Sequence, residues 1–204
     1  FNCSSLHEFN IPENVNYFGY ESFKNCTKYK VSINVSNNKK IFIGKSSFEN
    51  SGITSFNSNC NYIKVNDFAF QNCPNIVNFS VNALNKCFIG KSVFRNCVLL
   101  KKVKINQNVL NIKIGENCFM NSSIVKFKVP QNLNEIPASC FKLCKKLKEV
   151  VINDNSKVQY IGFEAFYESK IQHIFIPCNV KKIDKSCFEK CTELIKLDIS
   201  PSIN

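Results

Sequence analysis

Eight phenylalanines return at nearly even intervals along this chain, and a period of that kind constrains the fold more than any single motif does. Phe23, Phe48, Phe70, Phe94, Phe119, Phe141, Phe166 and Phe188 are separated by 25, 22, 24, 25, 22, 25 and 22 residues. Each is followed three places on by a small residue: Cys26, Ser51, Cys73, Cys97, Ser122, Cys144, Ser169 or Cys191. A ninth unit opens the chain, because Cys3, Leu6, Phe9 and Ile11 repeat the spacing of Cys191, Leu194, Leu197 and Ile199. Units this short cannot each bury an apolar side alone, so they stack. Residues 1–204 therefore read as a single solenoid of about nine repeats of 22–25 residues, starting and ending within a repeat, as an excised stretch without capping units would.

Five places before each anchor Phe stands an apolar residue: Phe18, Ile43, Val65, Ile89, Ile114, Ile136, Ile161 or Ile183. The next residue is Gly19, Gly44, Asn66, Gly90, Gly115, Pro137, Gly162 or Asp184. These residues tolerate tight-turn backbone angles, which is the expected reason for their presence. Five of the six glycines fall there, a whole repeat apart. A phosphate-cradling loop needs clustered glycines, so this spacing argues against a nucleotide site.

After each small residue comes a short apolar alternation, as in Val103-Lys104-Ile105, Phe127-Lys128-Val129 and Ile174-Phe175-Ile176. Alternation with period two predicts half-buried strands. The first apolar residue usually lies three places beyond a Cys but two beyond a Ser, which partly accounts for the shorter repeats.

Residues 158–177, from Val158-Gln159-Tyr160-Ile161-Gly162 through Ile174-Phe175-Ile176-Pro177, resemble the unit of the BspA-type leucine-rich repeats. Ile11-Pro12 and Val129-Pro130 repeat its strand ending, and the resemblance extends over essentially all of the chain. Two stretches depart from it: around Tyr29 to Val35 the strand register shifts, and after Ser51 the strand looks short and polar, predicting a bulge or irregular coil. The resemblance implies a right-handed curved solenoid with a parallel β-sheet on one face, mainly β with turns and little helix. It also implies adhesion or protein binding, since the family is common in surface proteins of host-associated bacteria and parasitic protists. A fold does not fix a function, so the role is an expectation only.

The residues themselves speak against catalysis. The two histidines, His7 and His173, lie about seven coils apart, roughly 30 Å by strand spacing, so no single catalytic constellation uses both. Cys140/Cys144 and Cys187/Cys191 are spaced pairs, but two coils separate them, roughly 10 Å, too far to share one zinc. No enzyme activity, cofactor or metal is expected. Of twelve cysteines, six (Cys3, Cys26, Cys73, Cys97, Cys144, Cys191) occupy the slot after the anchor, and Cys118, Cys140 and Cys187 immediately precede it. All nine read as small reduced core residues. Cys60, Cys87 and Cys178 fall outside these slots, where one irregular disulfide is the alternative.

If Val103, Ile105, Phe127, Val129, Val150, Ile152, Ile174 and Ile176 point inward, alternation turns Lys102, Lys104, Lys126, Lys128, Glu149, Val151, His173 and Phe175 outward. Lys102, Lys104, Lys126, Lys128, Val151, His173 and Phe175 are the candidate ligand-binding residues, a basic strip beside an apolar one. The net charge of +12 suits an acidic protein or an acidic glycan at a cell surface or outside the cell. Part of that charge reflects a Lys-, Asn-, Ile- and Phe-rich composition of the kind AT-rich coding produces. An intracellular protein-interaction scaffold is the second reading, favoured by reduced thiols. Nucleic acid ranks third, because Arg95 is the only arginine and no nucleic-acid motif occurs. No apolar run long enough for a membrane helix is present. Five glycosylation sequons, at Asn2, Asn25, Asn34, Asn78 and Asn121, are near chance for so Asn-rich a chain and weakly favour secretion.

Overall fold

The computed structural model of the protein describes residues 3–7, 9–35 and 40–200, and over them the chain winds as a parallel β-solenoid of about eight turns with no helix. Every turn contributes two short strands. One leads into the anchor phenylalanine: β1 (Tyr17–Phe18), β3 (Lys40–Ile43), β5 (Tyr62–Val65), β7 (Lys86–Ile89), β9 (Asn111–Ile114), β11 (Glu135–Ile136), β13 (Tyr160–Ile161) and β15 (Lys182–Ile183). The other trails it: β2 (Ser32–Val35), β4 (Ser55–Ser58), β6 (Asn78–Val81), β8 (Lys102–Ile105), β10 (Lys126–Lys128), β12 (Glu149–Val151), β14 (His173–Ile176) and β16 (Lys196–Ile199). The trailing strands are the ones the alternation predicts. The leading strands form a second parallel face, where only an apolar residue and a turn were expected.

The anchors stack into one ladder. From Phe23 to Phe188 successive ring centroids lie between 5.1 and 5.6 Å apart, with planes within 16° of parallel. Phe48, Phe70, Phe94, Phe119, Phe141 and Phe166 are fully buried, a burial that stabilises by about 1.5–3 kcal/mol per ring. Around each anchor the backbone alternates in hand: the residues two before and two after it have positive φ, for example Ser46 (53°) and Asn50 (54°) around Phe48. That alternation aims successive amides at the next coil, so Ser46, Phe48 and Asn50 donate to the carbonyls of Asp67, Ala69 and Gln71 at 3.0, 2.8 and 2.8 Å. Asn suits the second left-handed position because it tolerates that conformation at small cost. Its amide then bonds to the Asn one coil back, as in Asn50 to Asn25, Asn96 to Asn72 and Asn121 to Asn96.

The glycines serve a different purpose from the one their turn position suggests. None has positive φ. A Cβ on Gly115 would stand 2.6 Å from the backbone carbon of Gly90, and one on Gly44 would stand 2.6 Å from that of Gly19. At Gly44, Gly90, Gly115 and Gly162 the preceding coil approaches too closely for a side chain. A second correction concerns the segment after Ser51. It forms a regular strand, β4, in full four-residue register with both β2 and β6, with Phe56 buried. Ser32 and Ser55 hydroxyls bond across that register, so small polar residues here pack in a strand without a bulge.

Both faces are interrupted at one coil. The leading strands form β1-β3-β5-β7-β9 and β11-β13-β15, and the trailing ones β2-β4-β6-β8 and β10-β12-β14-β16. On the leading face the residue after each strand donates its amide to the previous coil: Gly44 to Phe18, Asn66 to Ile43, Gly90 to Val65, Gly115 to Ile89, Gly162 to Ile136 and Asp184 to Ile161, at 2.7–2.9 Å. In the missing slot, opposite Ile114, stands Pro137, which has no amide hydrogen. On the trailing face the equivalent slot holds Asn82, Asn106 and Ser200, whose amides donate to Ser58, Val81 and Ile176, and also Pro177, opposite Ile152, where β14 still pairs with β12. Opposite Ile105 it holds Pro130. Pro130 and Pro137 each forgo a ladder bond at the same junction, where both faces carry a proline and neither strand pair is joined. Only the anchor turn stays fully paired there, with Phe119 donating to Cys140 at 3.0 Å and Phe119 stacked on Phe141 at 5.5 Å.

Candidate binding surface

Most of the thiols are locked into the core. All twelve cysteines are free, and only Cys3 and Cys178 are exposed. Cys73 donates its thiol to the carbonyl of Phe48 at 2.9 Å, and Cys97, Cys144 and Cys191 repeat that bond to Phe70, Phe119 and Phe166 at 3.1, 3.0 and 2.9 Å. Where Ser fills the slot, its hydroxyl lies 3.6 Å from the next Cys: Ser51 beside Cys73, Ser122 beside Cys144 and Ser169 beside Cys191. Burial pushes the Cys73, Cys87 and Cys187 thiols up to about 12 and Cys144 to about 11, so they remain protonated and unreactive. Among the described residues no group of three or more His, Cys, Asp and Glu is placed to hold a metal. His7 bonds locally to the carbonyl of Ser5.

Alternation does place the candidate ligand-binding residues outward, and their charge is less uniform than the sequence suggests. Lys102, Lys104, Lys126, Lys128 and His173 are exposed, while Val151 and Phe175 are half-buried between buried neighbours. The Pro130 break divides them: Lys102 and Lys104 lie on β8, the others on β10, β12 and β14 of the next sheet. Across the ladder Lys126 pairs with Glu149 at 2.8 Å, and Phe175 lies opposite Asp198, itself bonded to Lys196 at 2.7 Å. Lys102, Lys104 and Lys128 have no ion-pair partner among the described residues. Val151 and Phe175 line a depression of about 150 Å³, and Phe175 also borders a second of about 460 Å³ with Ile152, Asn153, Asp154 and Asn155. Of the sequons, Asn121 uses its amide nitrogen in the asparagine ladder, Asn34 is exposed on β2, and Asn2 lies outside the described residues.

The outward side of the leading face carries residues that the repeat register alone had not singled out. They are Lys40, Phe42, Tyr62, Lys64, Lys86, Phe88 and Lys113 on β3, β5, β7 and β9. Their signal was present in the sequence as the alternations Lys40-Ile41-Phe42-Ile43 and Tyr62-Ile63-Lys64-Val65, each directly before a turn residue.

A family model described as the BspA type leucine rich repeat region matches residues 1–113 and 112–204, with six copies of the repeat. The chain belongs to the BspA-type leucine-rich repeat family. The two matched stretches of this BspA-type chain meet within β9, just before the coil that carries Pro130 and Pro137. Among solved structures, a leucine rich cell surface protein from Faecalibacterium prausnitzii is similar with a TM-score of 0.63 and 20% identity, over 84% of this chain and 43% of that one. The chain thus spans less than half the length of that relative. A leucine-rich repeat protein from Bacteroides ovatus aligns at a TM-score of 0.40 and 18% identity, over 96% of this chain and 67% of its own. The Treponema pallidum leucine rich repeat protein aligns at 0.43 and 18%, over 81% and 58%. No curated protein sequence matches significantly. No helix among the described residues is long and apolar enough to cross a membrane.

Proposed function

We propose that this BspA-type solenoid is a binding module of a cell-surface protein, without catalytic activity, and that it engages an acidic region of a host or matrix protein through the outward side of β8, β10, β12 and β14. The observation that carries this reading is the juxtaposition of three unpaired lysines, Lys102, Lys104 and Lys128, with Val151 and Phe175, half-buried beside open depressions. Positive charge steers an acidic partner, and the apolar residues supply contact area once it arrives. Apart from the exposed Cys3 and Cys178, the free thiols are buried or half-buried in the repeats, which supports a packing role for them. The cell-surface description of the Faecalibacterium protein supports the location.

The test combines staining with binding. Antibody against the chain should stain intact source cells. On a matrix stripped of its glycans by glycosidase, a K102Q/K104Q/K128Q variant should bind at least tenfold more weakly than the parent and with less dependence on salt. Equal binding by parent and variant sinks the assignment of this surface. Staining only after permeabilisation favours the intracellular scaffold, a reading that the twelve free thiols also suit.

A further inference from the structure

We propose that the outward side of β3, β5, β7 and β9, on the face away from the strip just described, is a binding site for a linear sulfated polysaccharide. The strand register builds it. Phe42, Lys64, Phe88 and Lys113 are consecutive partners along one row, and Tyr62 lies between Lys40 and Lys86 in the adjacent row. Three half-buried rings therefore run side by side, Phe42 to Tyr62 at 5.3 Å and Tyr62 to Phe88 at 6.3 Å, each flanked by lysines. Lys64, Lys86 and Lys113 are exposed, and none has an ion pair among the described residues.

The local charge is uncompensated. β3, β5, β7 and β9 carry four lysines, Lys40, Lys64, Lys86 and Lys113, and no acid, while Glu135 borders the adjoining cleft. Glu49, on the anchor turn, pairs with Lys24 at 3.3 Å, and one Asp67 carboxylate oxygen accepts the Lys91 amide at 2.8 Å. The surface is also grooved. A trough of about 350 Å³ is lined by Lys64, Asp67, Phe88, Gly90, Lys113 and Gly115 among others. It adjoins a cleft of about 590 Å³ at the free edge of β9, and Phe88 and Lys113 border both. That cleft lies at the junction where Pro137 interrupts the sheet.

Several features select the ligand class. Half-buried rings offer apolar surface to the C–H side of a pyranose, while lysine is a compact point charge suited to a sulfate. Lysines of one row, Lys64 and Lys113, stand two strands apart, roughly 9–10 Å by strand spacing and close to the length of a disaccharide. The bidentate readers of phosphates and base edges are missing, since Arg95 lies on the anchor turn. An extended peptide finds no backbone to pair with over β3, β5 and β7, because each has a neighbour on both sides.

The experiment measures binding of the whole chain to heparin, to desulfated heparin of the same length, and to polyuridylate of equal charge, across a salt series. Heparin should bind at least tenfold more tightly than either comparator. K64Q/K86Q/K113Q should weaken heparin binding tenfold or more and reduce the slope of log affinity against log salt by about 2–3. A Phe42→Leu/Phe88→Leu variant, which keeps apolar packing but removes the rings, should lose several-fold affinity with an unchanged slope. K102Q/K104Q/K128Q should bind heparin like the parent, which separates this site from the trailing-face surface. Unchanged heparin binding by the leading-face lysine variant overturns the proposal. So does equal binding of heparin and polyuridylate with no effect of the ring substitutions, which reports charge alone.

Discussion

At the scale of single residues, identity is set here by the nearness of the adjacent coil more than by local turn preference. Gly19 and Gly115 occupy the same place in their repeats and neither has positive φ, yet their surroundings differ. An added Cβ at Gly115 meets three Gly90 and Lys91 backbone atoms at 2.6–2.7 Å, whereas at Gly19 it meets nothing within 4 Å. Gly115→Ala should therefore destabilise by about 1–3 kcal/mol through forced coil separation. Gly19→Ala should leave stability unchanged or raise it by up to about 1 kcal/mol, by restricting the unfolded chain. Urea unfolding of the two variants checks this, and equal losses would mean that turn conformation governs after all. A sequence shows that glycine recurs; it does not show which of its positions a neighbouring backbone crowds.

At the scale of elements, the ladders explain why cysteine and serine alternate freely in one slot. Cysteine donates its thiol to the anchor carbonyl of the coil behind, as Cys73 does to Phe48, and adds apolar burial, while a serine in the slot sets its hydroxyl beside the next coil's thiol, as Ser51 does beside Cys73. The buried thiols carry a pH signature. Their folded values, about 12 for Cys73 and about 11 for Cys144, lie above the unfolded value of about 8.5. The folded state thus holds protons that the unfolded chain releases, so this contribution is complete below about pH 8.5 and is lost as pH rises toward 11–12. The melting temperature should be flat from neutrality to about pH 8.5 and fall above it, more shallowly in a C73A/C144A variant. Identical slopes in parent and variant would assign the alkaline loss to other groups. The trailing strands were readable because their alternation is isolated by small residues, whereas in the leading ones the glycine drew attention to the turn it precedes.

At the scale of the whole molecule, the junction of the coil bearing Pro130 and Pro137 divides a repeat array that is otherwise continuous in its anchors. Solenoid stability is a sum of coil and nearest-neighbour terms, so an interface that lacks a ladder bond on each face is the weak one. Native-state hydrogen exchange should resolve two cooperative blocks, residues 17–114 and 126–199, with distinct opening free energies. A single common protection level across both would show that the phenylalanine ladder alone couples them fully. Proposed sites fall on either side of this junction: the polysaccharide site belongs to the first block, while the trailing strip spans both, with Lys102 and Lys104 in the first and Lys128, Val151 and Phe175 in the second. Relative motion at the junction would therefore alter the strip and leave most of the leading face intact.

By itself the sequence determined the solenoid, the anchor ladder, the trailing strands and the outward positions of Lys102 through Phe175, because each follows from a period that only stacking coils satisfy. Tertiary structure alone decided which lysines remain unpaired, since Lys126 meets Glu149 only when residues 23 apart become ladder neighbours. It also turned recurrent glycine from a turn signal into a contact signal. Finally, it made two scattered prolines into one break, because a missing amide matters only where another coil presents a carbonyl to receive it.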